Sequence, residues 1–115
     1  MSTQITGPVV ENDDAQRRGH LAALSAATLI VMHSPVVPND ITVRCNDFAP
    51  DSPQISVFFY ESAAGVEQLA QSLGAQATTR PFRDTDPRPY VSMTATLDGI
   101  PVEAWTLLGK AEVAA

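Results

Sequence analysis

The sequence contains one cysteine, two histidines and no glycine-rich phosphate loop, and each shortage removes a class of function. A single cysteine cannot form an intrachain disulfide, which favours a reducing compartment. His20, His33 and Cys45 fall on different predicted elements without metal-ligand spacing, so we expect no metal and no other cofactor. The nucleophile-elbow and dinucleotide-binding motifs are also missing. The sequence therefore favours a function without catalysis.

Positive charge is scarce as well. Seven basic residues stand against 13 acidic ones, giving a net charge of −6 and a pI near 4.6. Nucleic-acid binding needs clustered Lys and Arg, so we expect no nucleic-acid partner. The apolar run ending at Met32 is too short to span a bilayer and follows an acidic segment, residues 11–14. We expect a cytoplasmic protein with no membrane partner.

With 44% hydrophobic residues in 115, the chain fits one globular domain. We interpret residues 1–11 as a flexible N-terminal arm, 12–109 as a single α+β domain and 110–115 as a flexible tail. Six of the seven basic residues are arginine and alanine is abundant, which is typical of a high-GC genome.

The firmest structural prediction is a hairpin over residues 90–108, with Asp98-Gly99 as its two-residue turn. These residue types tolerate the positive φ angles of a type I′ turn. The register then places four pairs on one apolar face: Leu97 with Ile100, Ala95 with Val102, Met93 with Ala104, and Val91 with Thr106.

The second face of this hairpin pairs Thr96 with Pro101, Thr94 with Glu103, Ser92 with Trp105 and Tyr90 with Leu107. It begins polar and ends aromatic. Because Pro101 has no N–H, the second strand is predicted to be a sheet edge there, or to pair outward only beyond that position. The cluster of Tyr90, Trp105 and Leu107 needs a cover, either a partner or another segment of this chain.

Two helices are predicted. The first is capped by Asn12 or Asp13, ends near His33 before Ser34-Pro35, and has an apolar face of Leu21, Leu24, Thr28, Val31 and Met32. Its alanines fill the flanks. The second is capped by Ser62, repeats apolar residues at Val66, Leu69, Ala70 and Leu73, and stops at Gly74 in the C′ position.

Three further strands are predicted at residues 41–45, 54–60 and 76–80, the last ended by Pro81. In the second of them Ile55, Val57 and Phe59 form one apolar face, while Phe58 and Tyr60 make the other face apolar too. The order is α-β-β-α-β-β-β. The predicted fold is α+β, a two-layer sandwich with about five mostly antiparallel strands and two helices on one face.

Residues 80–89 are predicted to be a proline-stiffened loop. Arg80, Arg83 and Arg88 alternate there with Phe82 and could present a rigid fork to a carboxylate or phosphate. The same residues also suit a solvated connector in which Asp84 and Asp86 pair with neighbouring arginines. For covalent catalysis, Cys45 with His33 is the only pairing to consider, and an inert buried thiol explains Cys45 more simply.

A limited resemblance covers the C-terminal half. The residues Leu73-Gly74-Ala75, Arg80-Pro81, Tyr90-Val91, Leu97 to Val102 and Trp105 form a pattern similar to small uncharacterised proteins of actinobacteria and their phages. The resemblance implies no activity and no site residues. It implies an accessory protein of a high-GC bacterium or phage.

The leading hypothesis is a non-enzymatic protein-interaction module, a homodimer whose open aromatic sheet faces meet. Its predicted interface residues are Phe58, Tyr60, Tyr90, Trp105 and Leu107, because aromatic residues are enriched at interface hot spots. The alternative is a binding protein or enzyme for a small acidic ligand, with an apolar pocket between sheet and helices that uses Tyr60, Trp105 and Arg83. A third hypothesis is a phage-encoded inhibitor whose acidic surface meets a basic host protein.

Overall fold

A computed structural model describes residues 8–46, 49 and 51–109. It contains two helices and five strands in the predicted order, which confirms the α+β fold. The elements are α1 (Pro8–His33), β1 (Asp40–Arg44), β2 (Gln54–Phe58), α2 (Ala63–Ser72), β3 (Thr78–Arg83), β4 (Asp86–Leu97) and β5 (Ile100–Leu107).

The strands form one sheet in the order β1-β2-β5-β4-β3. All neighbours are antiparallel except β2 and β5, which are parallel. The central strand is β5, and it pairs with β2 only from Val102 onwards. Of the two alternatives raised by Pro101, outward pairing beyond the proline is therefore confirmed.

The β4–β5 hairpin has the predicted register at all eight pairs, from Tyr90 with Leu107 to Leu97 with Ile100. Asp98 has φ 53° and Gly99 has φ 79°, the conformation that a type I′ turn requires. The local turn chemistry therefore sets the alignment of the two longest strands.

The helices cover one face of the sheet, with α1 against β1 and β2, and α2 against β4 and β5. Ser62 caps α2 as predicted, because its Oγ accepts a hydrogen bond of 3.0 Å from the Gly65 amide. At the other end Gly74 adopts φ 72° just beyond the last turn, also as predicted.

The core lies between the sheet and the helices. It consists of apolar side chains from both helices, from the inner positions of β2, β4 and β5 and from the residue after β2, namely Ala23, Ala26, Ala27, Ile30, Ile55, Val57, Phe59, Val66, Leu69, Ala70, Val91, Met93, Ile100, Val102 and Ala104. Phe59 is the largest side chain that is fully buried, and it belongs to the inward set predicted with Ile55 and Val57.

The predicted inner face of α1 is wrong. Three alanines, Ala23, Ala26 and Ala27, pack on the sheet together with Ile30, because alanine lets a helix approach the strands closely. The larger side chains predicted to be buried are exposed instead: Leu21 at 59%, Leu24 at 51%, Val31 at 49% and Met32 at 67%. The helix has two apolar faces, and only the one with smaller residues meets the core.

The boundaries of α1 also differ from the prediction. The helix begins at Pro8, not after a cap at Asn12 or Asp13, since proline at a first helical position carries no N–H that needs an acceptor. It ends at His33 as predicted. The predicted arm therefore overlaps the helix at residues 8–11. Residues 1–7 of that arm, the tail at 110–115 and Phe48 of the 46–53 loop lie outside the described residues.

Residues 80–89 form a strand pair and not the predicted loop. Strand β3 extends through Pro81 to Arg83, and β4 begins at Asp86. Pro81 faces Pro89, and the register shifts between Pro81 and Arg83. Prolines are tolerated here because β3 is an edge strand and a bulge relieves the pairing.

Candidate binding face

The side of the sheet opposite the helices is covered by no element among the described residues. Side chains point outward on it at alternate positions, and those of four neighbouring strands form a row of rings. We call this row the aromatic strip; its members are Phe58, Trp105, Tyr90 and Phe82. The ring centroids are 4.6 Å apart for Phe58 and Trp105, 6.0 Å for Tyr90 and Trp105, and 5.7 Å for Phe82 and Tyr90.

The strip follows from the registers. Phe58 faces Trp105 across β2 and β5, and the predicted hairpin pairs Trp105 with Ser92 and Tyr90 with Leu107. The rings shield one another, so each is half-buried although no described residue range lies above them as a further layer. Contacts of this length between tilted or offset rings are favourable beyond the area they bury. The strip is therefore an apolar ridge of rings that pack on one another.

Two arginines lie against the rings at one end of the aromatic strip. The guanidinium of Arg80 lies 4.7 Å from the centroid of Tyr90, and that of Arg83 lies 4.3 Å from Phe82. Arg80 also donates to the carbonyls of Pro81 and Phe82, at 3.3 and 3.4 Å. Both arginines are exposed at the protein surface. Stacked guanidinium groups keep N–H donors free at their edges, which suits carboxylates.

The third arginine of residues 80–89, Arg88, is held in an ion pair. Arg88 forms a bidentate pair with Asp86, with Nε to Oδ1 at 2.9 Å and Nη2 to Oδ2 at 2.7 Å. Its hydrogen bond lowers the pKa of Asp86 from 3.8 to about 2. The pair is therefore intact above the ordinary aspartate pKa and is lost only as pH falls through about 2. Arg88 thus fits the connector interpretation, while Arg80 and Arg83 fit the anion-binding one.

Two predicted interface residues take different positions. Leu107 lies on the open face opposite Tyr90 and borders the aromatic strip. Tyr60 follows the end of β2, is 64% exposed, and its amide donates to Asn39 Oδ1 at 2.8 Å. The chain turns away at Glu61, where φ is 45°, so Tyr60 does not continue the row that Phe58 begins.

The pKa of Tyr90 is raised above its ordinary value of 10, chiefly by burial, with Glu103 adding to the rise and Arg80 opposing it. The folded protein therefore favours the neutral phenol. This contribution to stability is fully present below pH 10 and is lost as pH rises through the folded pKa.

In a Tyr60→Phe variant Tyr90 is the only tyrosine, so the phenolate absorbance reports it alone. We expect an ionisation midpoint above 10, lowered by an added Glu103→Gln and raised by an added Arg80→Ala. A midpoint at 10 that neither substitution moves would show that Tyr90 is not held within the strip.

The pairing considered for covalent catalysis does not form. Cys45 is buried, and its thiol donates to the backbone carbonyl of Gln16 at 3.7 Å. The side-chain amide of Gln16 donates in return, from Nε2 to the backbone carbonyl of Cys45 at 2.9 Å. His33 lies 17 residues further along the same helix, about 25 Å away at 1.5 Å per residue. Across the described part of the chain, no three His, Cys, Asp or Glu side chains are grouped to hold a metal ion.

Two of the hollows on the described surface are enclosed enough to be candidates for a small ligand, and two larger ones, of about 380 and 580 Å³, are more open. A depression of about 270 Å³ on the open face has a mixed lining that includes Thr42, Arg44, Val102 and Glu103. A cleft of about 220 Å³ between α1 and α2 is lined by apolar side chains, including Leu29, Leu69 and Leu97. Tyr60, Trp105 and Arg83 line neither, and Trp105 lies on the opposite side of the sheet from the helices.

The sequence interpretation named the leucine side of α1 as its packing face and missed that the alanine side is the buried one. The pattern that could have revealed it is the alanine spacing at residues 23, 26 and 27, followed by Ile30, which repeats at i, i+3, i+4 and i+7. This second periodic face competes with the leucine face, and periodicity by itself does not choose between them.

The fold and the open face define a class, a two-layer α+β domain in which, over the described ranges 8–46, 49 and 51–109, both helices lie on one side of the sheet. No family model, curated protein or solved structure matches the chain. None of the helices within the described ranges is long and apolar enough to cross a membrane. The functional argument therefore depends on the geometry of the surface.

Proposed function

We propose that this protein is a non-enzymatic interaction module that binds another protein through the aromatic strip. The observation that carries the proposal is the continuity of the strip across four strands, on a face that none of the described helices covers. Interface hot spots are enriched in Trp, Tyr and Arg. Here one residue of each type is joined in a row, because Tyr90 contacts Trp105 on one side and Arg80 on the other. An accessory role is part of the proposal because the sequence pattern similar to small actinobacterial and phage proteins implies one.

The chemistry of the strip indicates the kind of partner. Its rings form an apolar ridge, and Arg80 and Arg83 add positive charge at one end of the strip. The net charge of the whole chain, in contrast, is −6. A protein surface with apolar side chains bordered by carboxylates would complement both features. The homodimer predicted from the sequence would use the same ridge, and a second copy is one outcome of the test below.

Small-molecule binding has less support. The helix-side cleft of about 220 Å³ is below the usual range of about 300–1,000 Å³ for ligand pockets. The depression on the open face, of about 270 Å³, is also below that range, and none of the four rings of the strip lines it. We therefore propose protein binding and retain no second function.

The test compares three forms of the protein as bait: wild type, Trp105→Ser and Tyr60→Ser. The matched control removes an exposed aromatic side chain that lies outside the strip. We expect a specific partner to bind wild type and the control alike, and Trp105→Ser about thirtyfold more weakly, as for a hot spot of about 2 kcal/mol.

Titration of the purified partner supplies the measurement, with Trp105 fluorescence as the readout in wild type and the control. A blue shift on binding would place the partner over the strip. Equal affinity for Trp105→Ser would contradict the proposal. If the only partner is a second copy of the chain, the protein binds itself through the strip, as in the homodimer predicted from the sequence.

A further inference from the structure

The exposed side of α1 is a second apolar surface, on the far side of the molecule from the aromatic strip. Leu21, Leu24, Thr28 and Val31 follow one another at spacings of three, four and three residues, and Met32 lies beside the last of them. We call this set the helix stripe. A 3-4-3 spacing keeps side chains on one line along a helix and is the pattern that packs against another helix.

We propose that two copies of this chain pair through the helix stripe, with their α1 helices antiparallel. This inference does not depend on the function proposed for the aromatic strip. It depends on three properties of the stripe: the shape of its residues, their area and the charges at its ends.

The stripe complements itself under a two-fold axis. If Leu21 of one copy faces Val31 of the other, Leu24 faces Thr28, and the same contacts repeat in reverse. Each of these layers joins a larger to a smaller side chain, which allows close packing between helices. A parallel pair would instead place each residue against itself, with Leu24 on Leu24 and Thr28 on Thr28.

The exposed area supplies most of an interface. From exposures of 49–67%, Leu21, Leu24, Val31 and Met32 present about 400 Å² per copy, the size of the largest apolar patch on a typical monomer, which is often functional. Two such patches contribute about 800 Å², and the exposed residues beside the stripe have to supply the rest of the roughly 1,200 Å² that a specific interface buries.

Charge favours the same orientation. Arg17 precedes the stripe at the N-terminal side and is exposed, where it pairs with Asp14 at 3.1 Å. In the antiparallel pair, Arg17 comes next to the last turn of α1 in the second copy, where a cation is favoured by the helix carbonyls. In a parallel pair, Arg17 would lie beside Arg17 of the other copy and would not reach a helix C-terminus.

The association test uses sedimentation of the full chain over a concentration series. We expect wild type to form dimers, and Leu24→Glu to weaken them by about a hundredfold, because it would bury an unpaired carboxylate. Thr96→Glu is the control, since Thr96 is exposed on the open face of the sheet, away from α1. Leu24 is exposed within one copy, so the Leu24→Glu variant should unfold at the wild-type temperature at concentrations where wild type is monomeric, which separates lost pairing from lost folding.

Orientation is tested by cross-linking in a Cys45→Ala background, with one cysteine introduced per copy. A mixture of Leu24→Cys and Thr28→Cys chains should form the mixed disulfide in preference to either self-disulfide. Preferential self-linking of Leu24→Cys would overturn the antiparallel arrangement. A monomeric wild type, or a dimer lost in Trp105→Ser and kept in Leu24→Glu, would overturn pairing through the helix stripe.

Discussion

Replacing Gly65 by alanine should lower the free energy of unfolding by about 2 kcal/mol or more, although alanine is the better helix former by about 1 kcal/mol. A Cβ at this position would lie 2.7 Å from Cγ of Phe59 and 3.0 Å from Cε1. Phe59 has no exposed surface, so its ring cannot move aside without disturbing the core around it. Steric overlap therefore outweighs helix propensity.

Chemical denaturation of four proteins measures this effect: wild type, Gly65→Ala, Phe59→Leu and the double variant. Phe59→Leu by itself should be destabilising, because it removes buried ring atoms. The added methyl should then cost much less in the Phe59→Leu protein, because the ring that it meets is gone. A neutral or stabilising Gly65→Ala would show that α2 and β2 are further apart than this structure has them.

The elements that could be predicted from sequence are those that local chemistry determines. Asp98-Gly99 set the eight pairs of the β4–β5 hairpin, and Ser62 and Gly74 set the ends of α2. In each case the residue that forms the turn or ends the helix lies within a few positions of the periodic segment next to it. Such features need no knowledge of distant contacts.

The face of α1 could not be predicted in the same way. Both its leucine face and its alanine face are apolar and periodic, and the choice between them depends on how closely the helix can approach β1 and β2. That distance is a property of the assembled sheet. The preference for larger side chains in the core therefore gave the wrong face.

The candidate site shows the same division. The outward positions of Trp105 and Tyr90 followed from the alternation of the hairpin, and that of Phe58 from the alternation of β2. Their assembly into one row required the parallel pairing of β2 with β5, which joins segments 47 residues apart, as Phe58 and Trp105 are. Tyr60 was misplaced because a turn at Glu61 ends the strand alternation.

Replacing Thr106 by valine should lower the free energy of unfolding by about 1–3 kcal/mol, the usual cost of leaving a buried hydrogen-bonding group without its partner. Thr106 is the buried polar residue of β5, with no exposed surface, and its Oγ1 accepts a hydrogen bond of 3.1 Å from the Ser62 amide. That bond joins the central strand to the residue that caps α2. Valine keeps the shape of the side chain and removes the acceptor.

Thr106→Ser is the matched control, since it keeps the hydroxyl and loses one buried methyl, worth about 0.8 kcal/mol. Amide hydrogen exchange separates the two effects. In Thr106→Val the Ser62 amide should exchange faster than in wild type, and the first turn of α2 should follow, because its capping residue is no longer held against β5. Equal protection of Ser62 in the valine and serine variants would show that the hydroxyl does not hold the helix start.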